Sequence, residues 1–546
     1  MATWVWMMWI WACVGLAVGK PMAGQLYSSQ SLMDDLFVFD KLVGDVLPLL
    51  PEHIPAASRY QESYWSMAQD RAMVGGHVTA VEVTGNPLHV YWVIKRLVLY
   101  WPALNISLQH YHTQDGVCED KSTNCPNWVM RGECLHNRNY MVFNCPLSCG
   151  VCPSPELRER LVALMEAYNS TVLPIYNDLL GAAYALARLQ RYYRIPIGNF
   201  MQGRLDNTYS SVRLTPEDCI TIANATHYFG EMSDAWLWYK YCRTTTDDPH
   251  QHDYIQTLMD DLERQHDSEW TKGDSRYFQR PLSESHFQVS SDSPTHRVCR
   301  GVHKIPVDGQ LQCHVSAHGA PYLALQPVRY ELLHQYPHIY LFYDVLQDFE
   351  IQTIKKLAKS RLSRSTVVGS NRYMEIRVSQ TGWLNNASHP SLLSIARRIS
   401  YITGLHVFEG PPEHMAGEYL QVLNYGIGGH YVMHSDLFYK KFPEGRWNES
   451  LAGPHEYTPG DRLATWMFYL SDVKLGGRTG FQFGFSVAPV KGAAVFWYNL
   501  KRNGDADFKT QHGGCPVVLG HKWVANKWIR EHTNFLRRTC STNPEE

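Results

Sequence analysis

The 546-residue sequence has no block of basic residues, and its formal net charge is only −2. Surfaces that bind nucleic acid need clustered Lys and Arg, so we expect no nucleic-acid partner. Beyond residue 19 the chain also lacks an apolar run of the roughly 20 residues that span a membrane, which predicts no transmembrane anchor. Its last residues, Asn543 to Glu546, carry no K-D-E-L-type retention address.

The first 19 residues are apolar and rich in tryptophan, and the charged Lys20 follows them. This pattern predicts a cleaved signal peptide over 1–19, with a membrane anchor as the alternative. Thirteen cysteines fit an oxidising compartment. Five N-x-S/T sequons agree with entry into the secretory pathway, at Asn105, Asn169, Asn224, Asn386 and Asn448.

A chain of this length is expected to contain roughly three or four domains, because single hydrophobic cores stop growing well before this size. Residues 20–112 show apolar side chains at helical spacing, as in Leu32, Leu36 and Phe39, and predict a helical domain. Helices that only cap the next domain are the alternative. Residues 155–242 predict a second helical domain, in which Thr215 stands before Pro216 as a helix N-cap.

Between these helical regions, six cysteines lie within residues 118–152 in the order C-x6-C-x8-C-x10-C-x3-C-x2-C. A module this small cannot bury enough apolar surface alone, so three disulfides are expected to stabilise it. Spacing alone leaves fifteen pairings open. Further along, residues 243–298 are polar, and we interpret them as a linker with one short helix. This linker region extends to residue 329 and contains Cys299 and Cys313 in a loop.

The pattern His434-Ser435-Asp436, followed by His512 and Lys522, indicates a metal site. Side chains at i and i+2 of a strand share a face, so His434 and Asp436 can turn toward one ion, and His512 would complete a set of three ligands. Two imidazoles and one carboxylate suit non-haem Fe(II), because three positions stay open for a 2-oxo acid and O2. Zinc would prefer a nearly closed tetrahedral site.

Three β-rich apolar segments flank these candidate ligands, at residues 420–426, 461–470 and 494–497. This layout predicts a double-stranded β-helix, or jelly roll, with the metal inside the barrel mouth. An H-x-D triplet alone occurs by chance in a histidine-rich chain, so the interpretation depends on this context.

Residues 330–540 closely resemble the catalytic domain of collagen prolyl 4-hydroxylase α subunits, above all from Asn424-Tyr425-Gly426 to Glu531. By position, residues 20–112 resemble the dimerisation region of that family, and 155–242 resemble its tetratricopeptide-like peptide-substrate-binding domain. The resemblance implies an aromatic groove for a proline-rich peptide on the second of these domains. An aromatic core in place of a groove is the alternative.

The module at 118–152 resembles the ShK toxin-like domain by its cysteine spacing and by Asp120, Trp128 and Gly132. A protein-contact or spacer role is favoured over the blocking of a potassium channel. The two resemblances imply the disulfides Cys118–Cys152, Cys125–Cys145, Cys134–Cys149, Cys299–Cys313 and Cys515–Cys540. Cys219 and Cys242 remain as a further candidate pair.

The resemblance implies a procollagen-proline 4-dioxygenase that uses Fe(II), 2-oxoglutarate, O2 and ascorbate on a collagen-like, proline-rich peptide. It further implies an α2β2 assembly in which protein disulfide isomerase is the β subunit. That subunit would supply the retention in the endoplasmic reticulum lumen that this chain lacks.

Family positions also suggest roles for single residues around the metal. Lys522 matches the residue that binds the far carboxylate of 2-oxoglutarate. Candidate hydroxyl partners of the co-substrate are Tyr425, Thr465 and Tyr469, and the positions that match peptide-facing or wall residues are Tyr431, Arg462 and Trp528.

The chain departs from the family at two places. Arg530 stands where the family has a histidine, and we expect it to assist Lys522 or to contact the substrate at the mouth, with a solvent-facing position as the alternative. Residues 476–482 read Gly-Gly-Arg-Thr-Gly-Phe-Gln in place of the family's Gly-Gly-x-Thr-x-Phe-Pro.

Three other functions compete with this interpretation. One is a related dioxygenase on a non-collagen, proline-containing substrate. Another is a catalytically silent scaffold that binds secreted partners through its ShK-like and helical regions, against which the intact ligand set and Lys522 argue. A zinc hydrolase is least favoured, because no glutamate base lies at a recognised spacing.

Overall fold

The computed structural model describes residues 27, 29–50, 54–73, 83–112, 118–205, 208–210, 212–271, 293–302, 313–366, 376–411, 414–438 and 459–543. The predicted signal peptide and Asn448 lie outside these residues. Within the described ranges, no helix has the length and apolar character needed to cross a membrane.

The amino-terminal half is helical, as the apolar spacing predicts. The helices before the cysteine-rich module are α1 Gln30–Val46, α2 Pro55–Met73, α3 Pro87–Leu99 and α4 Trp101–His112. Those inside it are α5 Cys125–Met130, α6 Glu133–His136 and α7 Arg138–Asn144. Those after it are α8 Pro155–Ser170, α9 Tyr176–Tyr193, α10 Ile197–Met201, α11 Pro216–Tyr228, α12 Met232–Thr245, α13 Pro249–Thr271 and α14 Pro294–Cys299.

Strands dominate the carboxy-terminal part, apart from a hairpin of β1 Arg204–Leu205 and β2 Thr208–Tyr209 among the helices. The first strands of this part are β3 Cys313–Ser316, β4 Val328–Gln335, β5 His338–Tyr343, β6 Ser363–Arg364, β7 Gln380–Leu384, β8 Leu420–Tyr425 and β9 Tyr431–His434. The later strands are β10 Arg462–Tyr469, β11 Val473–Gly476, β12 Thr479–Phe481, β13 Phe485–Val487, β14 Ala494–Tyr498, β15 His512–Gly514, β16 Val517–Gly520 and β17 Lys522–Arg530. Its helices are α15 Pro321–Ala324, α16 Asp348–Lys359 and α17 Pro390–Thr403.

Two antiparallel sheets form the barrel. The large sheet has nine strands in the order β3-β4-β5-β14-β10-β17-β8-β7-β6, and the small sheet has four in the order β13-β12-β15-β9. Apolar side chains of both sheets share one core, including Met467 from the large sheet and Phe481 from the small one. Helices α16 and α17 cover the opposite face of the large sheet. The predicted jelly roll is confirmed, and the site lies between its sheets.

The helical region packs directly against the barrel. Its core includes Val378, Ile427, Val518 and Leu519 from the carboxy-terminal part. Where α9 meets the loop after β8, Gly428 has φ +56°, and a Cβ added there would lie 3.0 Å from the Cβ of Ala185. Only glycine allows this close approach with a left-handed backbone.

Two aromatic side chains of α9 are buried, Tyr184 in this core and Tyr192 in a small cluster with Cys299 and Cys515. Tyr184 is 6 % exposed and stacks on Phe229 with ring centroids 4.6 Å apart, and Tyr192 is 9 % exposed. These two rings therefore follow the alternative of an aromatic core, because a peptide-binding groove requires exposed rings.

The prediction of a linker with one short helix over 243–298 is wrong where the structure describes it. Helix α13 has 23 residues and packs on α12. Its apolar side chains at Ile255, Met259 and Leu262 are buried. Their spacing of four and three residues is typical of a helix. The polar residues around them led to the prediction of a linker.

The structure contains the three disulfides implied for the ShK-like module, Cys118–Cys152, Cys125–Cys145 and Cys134–Cys149. The candidate pair Cys219–Cys242 is also bonded, and it joins α11 to α12.

The implied pairs Cys299–Cys313 and Cys515–Cys540 are wrong. Cys299 bonds instead to Cys515, and Cys313 and Cys540 are free and exposed. The reason is packing: Cys299 ends α14, which lies on β12 and β13, and Cys515 directly follows β15 beside β12. Cys313 lies on β3, at the far edge of the large sheet.

We expect peptide mapping without reduction to recover Cys299 joined to Cys515. Cys313 and Cys540 should react with an alkylating reagent before any reductant is added, because both thiols are exposed. Fragments that join Cys299 to Cys313 and Cys515 to Cys540 would contradict this assignment. The three disulfides of the ShK-like module serve as the internal control of the digest.

Candidate metal and co-substrate site

The three predicted metal ligands come together at the end of the small sheet. His434 ends β9, His512 begins β15, and the two residues are paired across the strands. His434 Nε2 lies 3.7 Å from Asp436 Oδ1, and His512 Nε2 lies 3.7 Å from Asp436 Oδ2. The ligand atoms of all three lie within 4.8 Å of one another. An ion about 2.0–2.2 Å from each atom fits this spacing.

Backbone carbonyls determine which nitrogen of each histidine faces the site. His434 Nδ1 donates to the Val432 carbonyl at 2.9 Å, and His512 Nδ1 donates to the Thr510 carbonyl at 3.0 Å. A carbonyl only accepts, so Nδ1 carries the proton and Nε2 presents its lone pair. Burial lowers the pKa of His512 to about 4, which keeps this imidazole neutral at pH 7, as metal binding requires.

The carboxylate of Asp436 is held by a relay of hydrogen bonds from the large sheet. Thr465 Oγ1 donates to Asp436 Oδ2 at 2.6 Å, Asn499 Nδ2 donates to Thr465 Oγ1 at 2.9 Å, and Trp497 Nε1 donates to Asn499 Oδ1 at 2.8 Å. Burial alone would raise the pKa of Asp436, but His512, His434 and Arg462 together lower it. Asp436 is therefore an oriented anion.

The expected role of Thr465 as a co-substrate partner needs correction. Its hydroxyl proton is committed to Asp436, and its oxygen already accepts from Asn499. Thr465 therefore orients a metal ligand.

Arg462 and Arg530 share a buried acid. Arg462 makes a two-point contact with Glu418, at 2.7 Å for both pairs, and Arg530 Nη1 donates to the same carboxylate at 2.9 Å. Although burial raises the pKa of Glu418, the two guanidinium groups lower it overall. Arg462 also donates to the Asp436 carbonyl at 3.2 Å, and its Cζ lies 3.5 Å from the ring centroid of Trp528.

The expectation that Arg530 assists Lys522 is wrong, and its contact with the substrate stays a prediction. Arg530 lies at the opposite end of β17 from Lys522, eight residues away, which is about 26 Å along a strand. Its exposed fraction is 2 %, so the solvent-facing alternative is also wrong. Arg530 pairs with Glu418 and thereby supports the neighbouring Arg462.

Tyr431 lies directly on one metal ligand. Its ring stacks on His434 with centroids 3.7 Å apart, and the guanidinium carbon of Arg377 lies 4.6 Å from the Tyr431 centroid on β9. The ring therefore restricts how His434 can turn.

Lys522 begins β17 opposite Tyr425 of β8, and both side chains are buried. Burial lowers the pKa of Lys522 to about 7 and raises the pKa of Tyr425 to about 12. Among the residues that the structure describes, no carboxylate lies at ion-pair distance from Lys522 Nζ. A buried amine without an acid beside it is a candidate site for an anionic ligand.

Space for such a ligand lies beside Gly514. This residue is two positions after His512, on the same face of β15. A Cβ added to it would lie 3.4 Å from the Tyr425 hydroxyl oxygen and 3.7 Å from Lys522 Nζ. Strand β15, which begins with His512, therefore passes next to Lys522, and Gly514 places no side chain between the strand and the Lys522 amine.

Tyr469 is fully buried, and its hydroxyl donates to Thr479 Oγ1 at 2.8 Å. Burial raises its pKa. Thr479 belongs to the altered segment 476–482, in which Arg478 Nε donates to Ser486 Oγ at 2.7 Å. These bonds tie Tyr469 and the altered segment to the barrel wall.

The sequence did not reveal two contributors to the site. Glu418 is a single acid before β8, with no pattern around it that marks a site. Asn499 follows β14 without a recognisable motif. Both act through partners far away in the chain, so local sequence holds no signal for them.

Comparison with known proteins agrees with this geometry. Residues 420–530 match the 2OG-Fe(II) oxygenase superfamily, and residues 117–152 match the ShK domain-like family. Prolyl 4-hydroxylase subunit alpha-3 of Mus musculus is 33% identical over 457 residues, which cover 72% of this chain and 82% of that protein. Subunit alpha-1 of Homo sapiens is 31% identical over 428 residues, which cover 68% and 77%.

Among solved structures, the viral collagen prolyl hydroxylase of Paramecium Bursaria Chlorella virus-1 covers 35% of this chain and 95% of its own, with 23% identity and a TM-score of 0.26. The sheets, the three-residue cluster and the superfamily match define an Fe(II)- and 2-oxoglutarate-dependent oxygenase. Within that class, the chain belongs to the family of prolyl 4-hydroxylase alpha subunits.

We expect Thr465→Val to weaken Fe(II) binding about tenfold, because Asp436 loses the donor that orients it. The measurement is equilibrium dialysis of Fe(II) without O2. Thr465→Ser keeps the hydroxyl and should bind Fe(II) like the parent. Equal affinity of the valine variant and the parent would remove Thr465 from this role.

Proposed function

We propose that this protein hydroxylates peptidyl proline to 4-hydroxyproline and converts 2-oxoglutarate to succinate and CO2. The observation on which the proposal mainly rests is a three-ligand cluster beside a buried, acid-free lysine in one barrel. The names of the relatives support proline as the target.

His434, Asp436 and His512 would hold Fe(II) through two Nε2 atoms and one carboxylate. When bound, Fe(II) would supply the activation of O2 and the oxidative decarboxylation. The chain's own contribution is orientation: two carbonyls fix the imidazole tautomers, and Thr465 fixes the carboxylate.

Lys522 would bind the far carboxylate of 2-oxoglutarate, and Tyr425 is the neighbouring hydroxyl for the same group. The two residues face each other across β8 and β17, with Lys522 Nζ 5.1 Å from the centroid of the Tyr425 ring. A carboxylate placed there would be desolvated together with the ammonium, which strengthens their interaction.

Tyr431, Arg462 and Trp528 would form the side of the site that faces the peptide. Tyr431 lies over His434, and Arg462 lies between Trp528 and the Asp436 carbonyl. Because Glu418 holds Arg462 at two points, the guanidinium is oriented before a substrate arrives.

The proposal extends to a procollagen-type substrate and to ascorbate as the reductant. The protein would act in the endoplasmic reticulum lumen as the α subunit of an α2β2 assembly, in which protein disulfide isomerase is the β subunit. The relatives are named as alpha subunits, which supports an assembly with a different chain. Five disulfides support the oxidising compartment.

One observation favours a second candidate, a dioxygenase that acts on a non-collagen, proline-containing substrate. Tyr184 and Tyr192 of α9 are buried against other elements of the chain. A polyproline peptide needs exposed rings, so these two rings do not contact it. The exposed rings that the structure describes in this region are Tyr176, Tyr209 and Tyr228, and recognition that does not use them would depend on the barrel mouth.

We expect His434→Ala, Asp436→Ala and His512→Ala each to abolish peptide-dependent turnover of 2-oxoglutarate, because each removes one of three iron ligands. The assay compares turnover with and without a (Pro-Pro-Gly)-type peptide, using the co-expressed subunits. Tyr322→Phe is the control, since Tyr322 is 67 % exposed and lies outside residues 155–242.

Stimulation by the peptide in the parent supports the collagen-type proposal. Turnover without stimulation would select the second candidate, and no turnover at all would select the scaffold. Near-full activity of any ligand variant would disprove the assignment of that ligand.

Lys522→Ala should raise the KM for 2-oxoglutarate much more than it lowers kcat, because the metal end of the co-substrate keeps its ligands. In the parent, burial lowers the pKa of Lys522 to about 7, so above this pH most of the free protein carries neutral lysine. A bound carboxylate favours the charged form, so binding at about pH 8.5 should take up close to one proton, and affinity should fall as the pH rises.

Calorimetry in two buffers of different ionisation enthalpy measures that proton. Lys522→Ala should show no such uptake. If the parent and the variant take up protons equally, the anchor of the co-substrate is elsewhere.

A further inference from the structure

Strands β17 and β8, which carry Lys522 and Tyr425, have a second face that points away from the metal site. Lys522 pairs with Tyr425 across β17 and β8, and the next pair is Trp523 with Asn424. Successive side chains of a strand point to opposite faces, so Trp523 and Asn424 lie directly behind the proposed 2-oxoglutarate anchor.

The start of the amino-terminal helix α1 binds this second face. Trp523 Nε1 donates to Gln30 Oε1 at 3.0 Å. Asn424 Oδ1 accepts from Ser29 Oγ at 2.7 Å and from the Ser31 backbone N–H at 3.1 Å. Three successive residues of one segment therefore bind two adjacent strands, at the strand positions next to Lys522 and Tyr425.

A second amino-terminal segment holds the turn that leads into β17. The Gly520 N–H donates to the Gly85 carbonyl at 2.9 Å, and Thr84 Oγ1 lies 3.3 Å from His521 Nε2. Thr84 also donates to Asp34 Oδ1 at 2.7 Å. Because Asp34 accepts from Gln30 as well, the two segments act as one connected unit.

These contacts are buried. Ser29 and Asn424 are 0 % exposed, and Gln30 and Trp523 are each 6 % exposed. A buried polar group that loses its partner cannot be satisfied by water without movement of the surrounding chain. The hydrogen bonds therefore fix the position of β17 at its first residues.

We infer that residues 29–31 and 84–85 are a positioning element for 2-oxoglutarate, which holds β17 so that Lys522 meets the far carboxylate. The inference rests on the proposed function of Lys522. It gives the amino-terminal helical region a part in co-substrate binding in addition to its expected dimerisation-like role. Displacement of an anchoring group by about 1 Å weakens a charge-assisted contact, so loosening this element should lower affinity for 2-oxoglutarate.

The test uses the full chain with its co-expressed partner, loaded with Fe(II) without O2, and equilibrium dialysis of labelled 2-oxoglutarate. Gln30→Ala should raise the Kd about three- to tenfold, and kcat at saturating 2-oxoglutarate and peptide should change less than about twofold. Trp523→Phe removes the N–H donor and keeps a ring, and it should do the same. The double variant should be no weaker than Gln30→Ala, because Gln30→Ala already lacks the hydrogen bond that Trp523→Phe removes.

Asp35→Ala is the matched control. Asp35 lies on the same helix and also contacts the barrel, but through an exposed ion pair with Lys359 of α16, at 3.0 Å. Its Kd for 2-oxoglutarate should stay within about twofold of the parent, as expected for a surface pair. If Gln30→Ala does not fold, Ser29→Ala replaces it as a smaller change. Loss of the Ser29 hydroxyl that donates to Asn424 should also raise the Kd for 2-oxoglutarate.

A parent that binds 2-oxoglutarate without hydroxylating peptide would disprove the proposed function, while the Kd values of the variants would still decide this inference. A parent that binds no 2-oxoglutarate would disprove both. Unchanged Kd in Gln30→Ala and Trp523→Phe, additive effects in the double variant, or an equal rise in Asp35→Ala would each overturn the positioning role.

Discussion

Two opposite charges are buried in this barrel without being paired to each other, the carboxylate of Asp436 and the ammonium of Lys522. Asp436 receives a hydrogen bond from Thr465 and lies beside two imidazoles. Lys522 has no comparable compensation from the described residues, and burial lowers its pKa to about 7. Desolvating a charge costs stability, so the fold retains an amine that is ionised fully near neutral pH only when an external anion binds beside it.

A different charge balance holds around Arg462. Glu418 binds two guanidinium groups, those of Arg462 and Arg530, and all three side chains are largely buried. Arg530 places a second guanidinium on Glu418, and guanidinium groups favour planar contacts with carboxylates. Glu418 therefore joins Arg530 to Arg462, and the shared carboxylate fixes the orientation of Arg462.

Local sequence was sufficient where the chemistry depends on neighbours in the chain. His434 and Asp436 are two residues apart, and the compact cysteine spacing predicts the ShK-like module, although the three pairings came from the family resemblance. Local sequence did not predict the contacts that depend on how distant elements pack together. The Cys299–Cys515 bond spans 216 residues and depends on how α14 lies on β12, and Arg530 finds its acid 112 residues away. Thr465 lay at a family position near the co-substrate, but its partner is set by the register of β10 beside β14 and β17.

The longest contacts join the beginning of the chain to its end. Gln30 and Trp523 are 493 residues apart, and Ser29 and Asn424 are 395 apart. During synthesis α1 emerges long before β8 and β17, so the polar groups at its start remain hydrated until the barrel forms. Contacts of such separation are slow to form because a long loop must close first. The co-substrate wall should therefore be among the last parts of the molecule to reach its final geometry, and the amino-terminal helix completes it from behind.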